Sequence, residues 1–540
     1  MPPEKELNVD NVLSELGNVG KFQLINFVLI GIAILLSSIV SLTFVFAAGE
    51  VNYRCRIPGC DDNQTEYKPD WLSHAVPHIN GVPSRCNRFN SSITDSSQCW
   101  DENAFDTNEM IVCNDWVFET EERTILNEFG LTCPENDWKL AFVGTINNAA
   151  LFVFIAVMGG LSDRFGRRTM VIYGLFFTGV FGLIKSFSVN YVMYVIFEFL
   201  EAGASSGVYA TAFILAVELM QPSKRVLGGT IIACNYTLGE IVLGIIAMLV
   251  PNYRTLLHIT YAPLLLIISY FWLIPESVRW LFVKGKTDEA VTVIRKAAKM
   301  NKIILSDQTM DKLRCAEHIN ILNQHHHHHE INKRYAIVEV FKSRILLIRL
   351  ANCCLCWITN AFVYYGLSLN SVTLAGDKYV NFILVCTAEI PGYIITVFVL
   401  NKFGRKYSLC ASMLLCGVAC LSSEYIPVEQ SALRLIMFLI GKCSITVSFT
   451  VLYVFTTEMY PTNLRNSLVC ACSMIGRIGS MAAPQTPLLG KYMAALPLIL
   501  FGSLSIISGL LSLLFPETLN TMLPDTVEEA ENIGKNVPKK

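Results

Sequence analysis

Residues 159–168 of the chain read GGLSDRFGRR, a cluster of one Asp, three Arg and three Gly that directly follows a long apolar run. A tight, positively charged turn of this kind is typical of a short cytosolic loop between two membrane helices. This interpretation makes two demands on the sequence. The rest of the chain should be apolar enough for a membrane protein, and the turn should recur where helices are joined in the same way.

The composition meets the first demand. Of 540 residues, 53% are hydrophobic and only 16% are charged, and the mean hydropathy is +0.45. A soluble domain carries about 25% charged residues. The net charge of −2 gives no indication of a nucleic-acid partner. Residues 1–21 are polar and acidic rather than apolar, so we expect the first apolar span to be an uncleaved anchor and not a signal peptide.

Twelve apolar runs are long enough to cross about 30 Å of hydrocarbon as helices. The sequence therefore predicts an all-α membrane protein of twelve transmembrane helices, with spans near 22–48, 140–161, 169–188, 191–215, 227–250, 256–274, 345–368, 379–400, 408–425, 431–456, 466–489 and 494–515. The corresponding division is a cytosolic N-terminus, a six-helix half, a cytosolic linker, a second six-helix half and a cytosolic tail, at 1–21, 22–274, 275–343, 344–515 and 516–540.

The polar segment 49–138 has the features of an extracellular loop. It contains two N-x-S/T sequons, at Asn63 and Asn90, which we expect to be glycosylated. It also contains six cysteines, which predict up to three disulfides of open pairing in an oxidising compartment: Cys55, Cys60, Cys86, Cys99, Cys113 and Cys133.

The polar segment 275–342 is rich in Lys and Arg, which places it in the cytosol. An even number of spans then leaves both termini on that side. His325–His329 is a run of five histidines in this segment. Adjacent histidines without a scaffold make a poor metal site, so a flexible low-complexity insert is expected and no metal site is predicted.

The second demand is met because the turn recurs. NKFGRK aligns with DRFGRR, so that Gly404 matches Gly166 at an offset of 238. Glu458 in TEMYPTNLR matches Glu218 in VELMQPSKR at an offset of 240, and PET matches PES at 241. Each motif follows the second, fourth or sixth span of its half. The chain is therefore predicted to consist of two duplicated halves, with a substrate path between them.

Charged residues of these repeats and of the neighbouring loops, together with Gly166, are candidates for a gate. Such a gate would hold one face shut and open when the two halves rock. Alternatively, the basic residues only enforce the membrane topology. The gating role and the topological role can also hold together. The candidates are Asp163, Arg164, Gly166, Arg167, Arg168, Glu218, Arg225, Arg279, Arg405, Glu458 and Arg465.

GGLSDRFGRR resembles the signature loop of the major facilitator superfamily. Three further stretches, IPESVRWLFVKGKTDEAVTVIRKAAKMN, TEMYPTNLRN and PETLNTMLPDTVEEAE, resemble solute carrier family 22, the organic cation, anion and carnitine transporters, as does the Cys-rich first loop. The similarity covers about residues 10–534. It implies a plasma-membrane transporter of small organic ions that works by alternating access and needs no bound cofactor.

Two charges within spans bear on the substrate, because charges in a membrane are costly. Glu389 resembles the acid of the cation and carnitine branches, and a carboxylate suits an ammonium. Arg477 stands where the carnitine and anion branches have Arg, and a guanidinium suits a carboxylate. The combination predicts a zwitterion, or a cation with Arg477 as a structural partner of Glu389. A buried Glu389–Arg477 ion pair without a ligand role is the alternative.

Aromatic residues add candidates for binding an alkylammonium group. Trp357, Tyr364, Tyr209 and Phe213 fall where the resemblance places cavity aromatics, although ordinary helix packing would explain each of them. Glu240, in the middle of the fifth span, could add a second acid or take part in proton coupling.

Three functions remain open on the sequence. The first is a carrier of organic cations or zwitterions, coupled to the membrane potential or to a sodium or proton gradient. The second is an anion exchanger using Arg477, Lys185 or Arg349, and the third is a non-transporting receptor. No nucleotide-binding or catalytic motif is found, so an enzyme is not expected. The expected partners are the substrate and membrane lipid; the oligomeric state stays open.

Overall fold

The computed structural model of the chain describes most of its residues. These are residues 15, 20–61, 66–79, 82–91, 93, 96–101, 104–220, 225–303, 342–461, 464–519, 521, 524 and 526–533. Asn63 and the five histidines at 325–329 lie outside the described residues.

The N-terminal half is built from helices that cover the first six apolar runs. Span one is broken at Leu42 and span four near Ser206, and span six changes to a 3₁₀ helix after Tyr261. The helices of this half, together with two in the polar segment 49–138 and two in the segment 275–342, are α1 (Lys21–Ser41), α2 (Thr43–Ala47), α3 (Leu72–Ala75), α4 (Ile125–Glu128), α5 (Asp137–Phe165), α6 (Arg167–Ser186), α7 (Tyr191–Ser205), α8 (Val208–Glu218), α9 (Arg225–Leu249), α10 (Tyr253–Tyr261), α11 (Tyr270–Leu273), α12 (Val278–Val283) and α13 (Thr287–Asn301).

The C-terminal half follows the same plan. The second span of this half, which is the eighth of the chain, is broken at Ala388. Pro391, in the first turn of the helix that follows the break, has no N–H to donate to the preceding helix. The helices are α14 (Arg344–Asn370), α15 (Lys378–Thr387), α16 (Glu389–Phe403), α17 (Arg405–Tyr425), α18 (Ser431–Met459), α19 (Arg465–Ala482), α20 (Thr486–Tyr492), α21 (Leu496–Ser512) and α22 (Val527–Asn532).

Helix length and hydropathy confirm the predicted fold class. In the described part of the chain, eleven helical segments are long and apolar enough to cross a membrane, and Leu496–Ser512 is a shorter apolar helix in the twelfth position. Buried side chains line the helix contacts of each half. One large cluster fills the first half and extends to Phe382 and Ala483 of the second, and the described part of the second half has three smaller clusters of its own.

The Cys-rich segment folds into three small two-stranded antiparallel sheets that pack beside the helix ends. The strands are β1 (Tyr53–Cys55), β2 (His78–Ile79), β3 (Val82–Pro83), β4 (Asn87–Ser91), β5 (Phe105–Val112) and β6 (Trp116–Phe118). All six predicted cysteines are paired, as Cys55–Cys113, Cys60–Cys99 and Cys86–Cys133. Asn90 lies on β4, where its amide donates to Glu109 at 2.7 Å.

The two faces of the helix bundle differ. The disulfide face carries the Cys-rich segment, and the repeat-motif face carries Gly166 and Gly404. At the disulfide face the halves are joined by direct contacts. Lys491 pairs with Glu50 at 2.6 Å and with Asp137 at 2.8 Å. The structure is therefore a state in which the disulfide face is closed.

Further contacts seal the same face closer to the middle of the bundle. Thr145 donates to the carbonyl of Met481 at 3.1 Å and accepts from Gln485 at 2.8 Å. Phe46 packs its ring 5.0 Å from that of Phe382. These contacts join α5 and α2 of the first half to the second half over about one helical turn.

Candidate functional site

Glu389 is the first residue of α16 and is completely buried where the halves meet. Its carboxylate forms an ion pair with Lys442 at 2.8 Å. It also accepts hydrogen bonds from the hydroxyls of Tyr364, at 2.8 Å, and Thr237, at 3.0 Å. Because Thr237 belongs to α9 of the first half, this one side chain connects the two halves at mid-bundle.

Lys442 is the residue of this site that the sequence analysis missed. It lies on α18 with its side chain fully buried, and donates to Ser368 at 2.7 Å. Its ammonium lies only 3.4 Å from the ring centroid of Tyr364, a close cation–π contact. The signal was present, since a lysine inside an apolar run of about 26 residues needs a buried partner.

Glu240 lies beside this ion pair and leaves a charge unbalanced. It is 3% exposed, and within the described part of the chain one of its carboxylate oxygens accepts no hydrogen bond. Glu240, Glu389 and Lys442 influence one another electrostatically, and when both carboxyls are ionised they carry a net charge of −1. A buried unpaired carboxylate is costly, so this site is suited to one additional positive charge.

Arg477 approaches the same region from α19. Its guanidinium is half-buried and donates to the hydroxyl of Tyr365 at 3.1 Å. Among the described residues, no carboxylate lies within ion-pairing distance of it. The alternative of a Glu389–Arg477 ion pair is therefore not what the structure contains. Tyr364 and Tyr365, whose rings are 5.3 Å apart, stand between the two charges.

The predicted aromatics fall into two groups around these charges. Trp357 is 2% exposed, donates to Thr456 at 3.1 Å and packs against Phe449, which gives it the contacts of a core residue. In the first half, Tyr209 packs edge-on against Tyr236 at 5.0 Å, with Phe213 farther off at 6.2 Å.

At the repeat-motif face, Glu276 holds the first predicted turn. Its carboxylate accepts the backbone N–H groups of Arg167 and Arg168, both at 3.0 Å, at the start of α6. A carboxylate at a helix N-terminus is stabilised by the helix dipole. Gly166 has φ +106°, and a Cβ there would lie 2.2 Å from the Glu276 carboxylate. Asp163 pairs with Arg167 at 2.9 Å.

The second half repeats this cap. Glu517 accepts the backbone N–H groups of Arg405, at 2.9 Å, and Lys406, at 3.1 Å, at the start of α17. Gly404 has φ +82°, and a Cβ there would lie 2.6 Å from Glu517. Arg405 makes a two-bond contact with Glu458, at 2.9 and 2.8 Å. The predicted duplication thus produces the same local structure twice.

Most other gating candidates lie beside these caps. Glu218 accepts a hydrogen bond from Ser277, next to Glu276. Asp163, Arg167, Glu218 and Arg279 line one cavity of about 190 Å³. The remaining three are spread out: Arg164 contacts the ring of Phe165 at 5.4 Å, Arg465 begins α19 and Arg225 begins α9.

Two of the three cations considered for an anion site are engaged elsewhere. Lys185 pairs with Glu198 at 2.8 Å and Glu201 at 3.3 Å, inside the first half. Arg349 donates to the carbonyl of Ala530 at 2.7 Å and so holds the C-terminal helix α22. Only Arg477 of the three faces the region between the halves.

The family model of the Major Facilitator Superfamily matches residues 121–484. The human organic cation/carnitine transporter 2 is 31% identical over 96% of this chain and 93% of its own length, and mouse solute carrier family 22 member 21 is 31% identical over 98% and 94%. The Drosophila melanogaster organic cation transporter protein is 30% identical over 98% and 95%.

Among solved structures, the inward-open xylose transporter XylE from E. coli superposes with a TM-score of 0.58, at 16% identity, over 74% of this chain and 92% of that chain. This likeness concerns the fold. The two halves repeat one capped turn, and the family model matches most of the chain. The chain therefore belongs to the major facilitator superfamily and, within it, to solute carrier family 22, whose members are transporters and not enzymes.

Proposed function

We propose that this protein carries small organic cations or zwitterions, such as carnitine-like or quaternary ammonium compounds, by alternating access. The observation that carries the proposal is the surplus buried carboxylate between the halves. Glu240 and Glu389 share a single ammonium, that of Lys442, so one positive charge is missing. A substrate ammonium would supply it. The names of the organic cation and carnitine relatives agree with this chemistry.

Arg477 favours a zwitterion over a simple cation. Among the described residues its guanidinium has one hydrogen-bond partner, Tyr365, and it can form a two-bond contact with a carboxylate. Tyr364 and Tyr365 separate it from Glu389, so the acidic and basic groups would bind opposite ends of one molecule. The rings of the two tyrosines would contact the carbon chain between the charged ends.

The arrangement in the cell is part of the proposal. The three disulfides support placing the disulfide face outside the cell, because disulfides persist in oxidising compartments. The repeat-motif face, both termini and the basic segment 275–342 would then be cytosolic, and the plasma membrane is the compartment that fits. With that orientation, the present structure is closed to the outside.

The experiment compares uptake of labelled carnitine and labelled tetraethylammonium by cells that express the chain, with and without sodium. Arg477→Gln is expected to weaken carnitine uptake and spare tetraethylammonium. Loss of a charged hydrogen-bond pair costs about 1.5–3 kcal/mol, which is about a 10- to 150-fold change in affinity. Glu389→Gln is expected to weaken both substrates, because both carry an ammonium group.

The matched control is Arg295→Gln, an exposed charge on α13 far from the interface. It should leave both uptake rates unchanged at equal surface expression. Equal loss of both substrates in Arg477→Gln would make Arg477 a structural residue of a cation carrier. Uptake of neither substrate, together with uptake of an organic anion, would contradict the proposal, and sodium dependence would identify the coupling ion.

A further inference from the structure

A second buried charge cluster lies inside the first half, apart from the region of Glu389. Lys185, at the end of α6, donates to Glu198 at 2.8 Å and to Glu201 at 3.3 Å, both on α7. The three side chains are 0%, 0% and 2% exposed. We call them the Lys185 cluster. Neither the duplication nor the proposed substrate site uses them.

Groups from three other helices surround this cluster. Asn147 of α5 donates to Glu198 at 2.8 Å. Lys185 also donates to the hydroxyl of Tyr261 of α10 at 3.1 Å, and that hydroxyl bonds Thr43 of α2 at 2.9 Å. Every one of these neighbours is neutral, so the Lys185 ammonium is the cation that both carboxylates share.

An unpartnered hydroxyl points to a missing polar contact at the same place. Tyr194 lies one turn before Glu198 on the same face of α7, and its ring centroid is 5.8 Å from the Lys185 ammonium. Its side chain is completely buried, yet its hydroxyl has no hydrogen-bond partner among the residues that the structure describes. A buried polar group without a partner is rare.

Charged and titratable groups toward the disulfide face are engaged with other partners. Arg254 pairs with Glu128 at 2.9 Å and donates to backbone carbonyls at the end of α6. His258 is half-buried and shares a hydrogen bond with Ser186 at 2.8 Å. Tyr253 packs its ring 6.4 Å from that of Tyr194. With both glutamates ionised, the Lys185 cluster would hold a net charge of −1 away from water.

We propose that Glu201 carries an exchangeable proton in this structure, and that loading this proton is required for the disulfide face to close. Ionising two carboxyls that share one ammonium in a dry interior is costly, and inside one half, where no substrate is proposed to bind, a proton is the cation that relieves this cost. Glu198 has two close donors, Lys185 and Asn147, whereas the Lys185 contact of Glu201 is longer. Glu201 is therefore the carboxyl that holds the proton, and the proposal is independent of the substrate.

Asn147 connects the cluster to the contacts that close the disulfide face. It lies on α5 within one turn of Thr145, which bonds Met481 and Gln485 of the second half. Gly144 lies in the same turn, and a Cβ there would lie 2.8 Å from Pro484 of the second half. When Glu201 loses its proton, it competes with Glu198 for Lys185 and water must enter to solvate the charge. Both changes loosen the Glu198–Asn147 bond on the helix that seals the face.

Infrared difference spectroscopy of the purified full chain tests the proton directly. Wild type should show the carbonyl stretch of a buried protonated carboxyl that is absent from Glu201→Gln. It should also be absent from Glu198→Gln, because Glu201 then ionises beside Lys185. The control Glu109→Gln changes a carboxyl in the Cys-rich segment and should retain the band. Both Gln variants keep the side-chain shape, and a circular-dichroism spectrum checks their fold.

Hydrogen exchange tests the consequence for closure. In wild type, exchange in residues 137–150, corrected for its intrinsic pH dependence, should slow as the pH falls, by at most about tenfold per pH unit for one proton. Glu201→Gln should be slow at every pH. The band persisting in Glu201→Gln, or an unchanged pH dependence in that variant, would overturn the proposal. So would sodium raising the melting temperature of wild type but not of Glu201→Gln, since that result marks a sodium site.

Discussion

The two halves of the molecule cap their repeat-motif turns alike but secure the adjacent arginine differently. In each half, one glutamate from beyond the last span receives two backbone N–H groups at a helix start, Glu276 in the first half and Glu517 in the second. Arg167, however, pairs with Asp163 one turn earlier, whereas Arg405 pairs with Glu458 on another helix.

One substitution between the repeats accounts for the difference. Asn401 stands where the first half has Asp163, so Arg405 has no carboxylate one turn before it and contacts Glu458 instead. The Asp163 side chain is 74% exposed, while Glu458 is 17% exposed. The duplicated cap therefore supplies the turn in both halves, and among the described residues only the second half pairs the turn arginine with a carboxylate on another helix. The first half retains an exposed acid that can form other contacts.

The largest effect is expected where the halves agree. Gly166→Ala and Gly404→Ala each place a Cβ in a backbone region that only glycine occupies readily, at a cost of about 1–3 kcal/mol, and each Cβ displaces the capping carboxylate. Both variants should melt at clearly lower temperature in detergent, and Gly166→Ala should melt lowest, because its contact is shorter.

Gly160→Ala is the matched control for these two. Gly160 lies within α5, and a Cβ there meets nothing within 4 Å. Alanine in a helix interior is favoured over glycine by roughly 0.5–1 kcal/mol, so this variant should melt at the same or a slightly higher temperature. If Gly166→Ala behaves like Gly160→Ala, the common cap contributes nothing to stability.

The cap shows which part of this local structure could be predicted from the sequence alone. The repeats matched Gly166 with Gly404 and PES with PET, and a duplicated turn must be built from corresponding residues. That the glutamates of PES and PET touch those glycines required the structure, because over 100 residues separate them.

At the candidate substrate site, the sequence located Glu389 and Arg477 but not the partner of Glu389. A buried charge predicts that some opposite charge lies nearby, yet it does not identify which one. The rotation of α18 and α19 about their axes decides that Lys442 and not Arg477 meets Glu389. That rotation depends on packing along whole helices, which the pattern of apolar residues does not specify.

A smaller effect is expected where the halves differ. Arg405→Lys loses a two-bond contact with a mostly buried Glu458 and should reduce the free energy of unfolding by about 1–2 kcal/mol. Arg167→Lys loses a pair with an exposed acid and should cost less than about 1 kcal/mol. The melting temperatures of the two variants measure this difference. The double variant Arg405→Lys/Glu458→Gln should be only slightly less stable than Arg405→Lys alone. Equal losses in the two halves would contradict the asymmetry.

The smallest effect on stability, and the most informative for transport, is expected from Asp163→Asn, which gives the first half the residue of the second. Because Asp163 is largely exposed, its pair with Arg167 should contribute less than about 0.5 kcal/mol. If the acid forms a gating contact in another state, removing it shifts the balance of states. A coupling of about 1 kcal/mol corresponds to roughly a fivefold fall in initial uptake at unchanged surface expression.

Asn401→Asp, which adds the acid beside an arginine already held by Glu458, should change uptake little. Unchanged uptake in Asp163→Asn would mean that the charges of GGLSDRFGRR only set the membrane topology. The two halves would then differ in stability and not in gating.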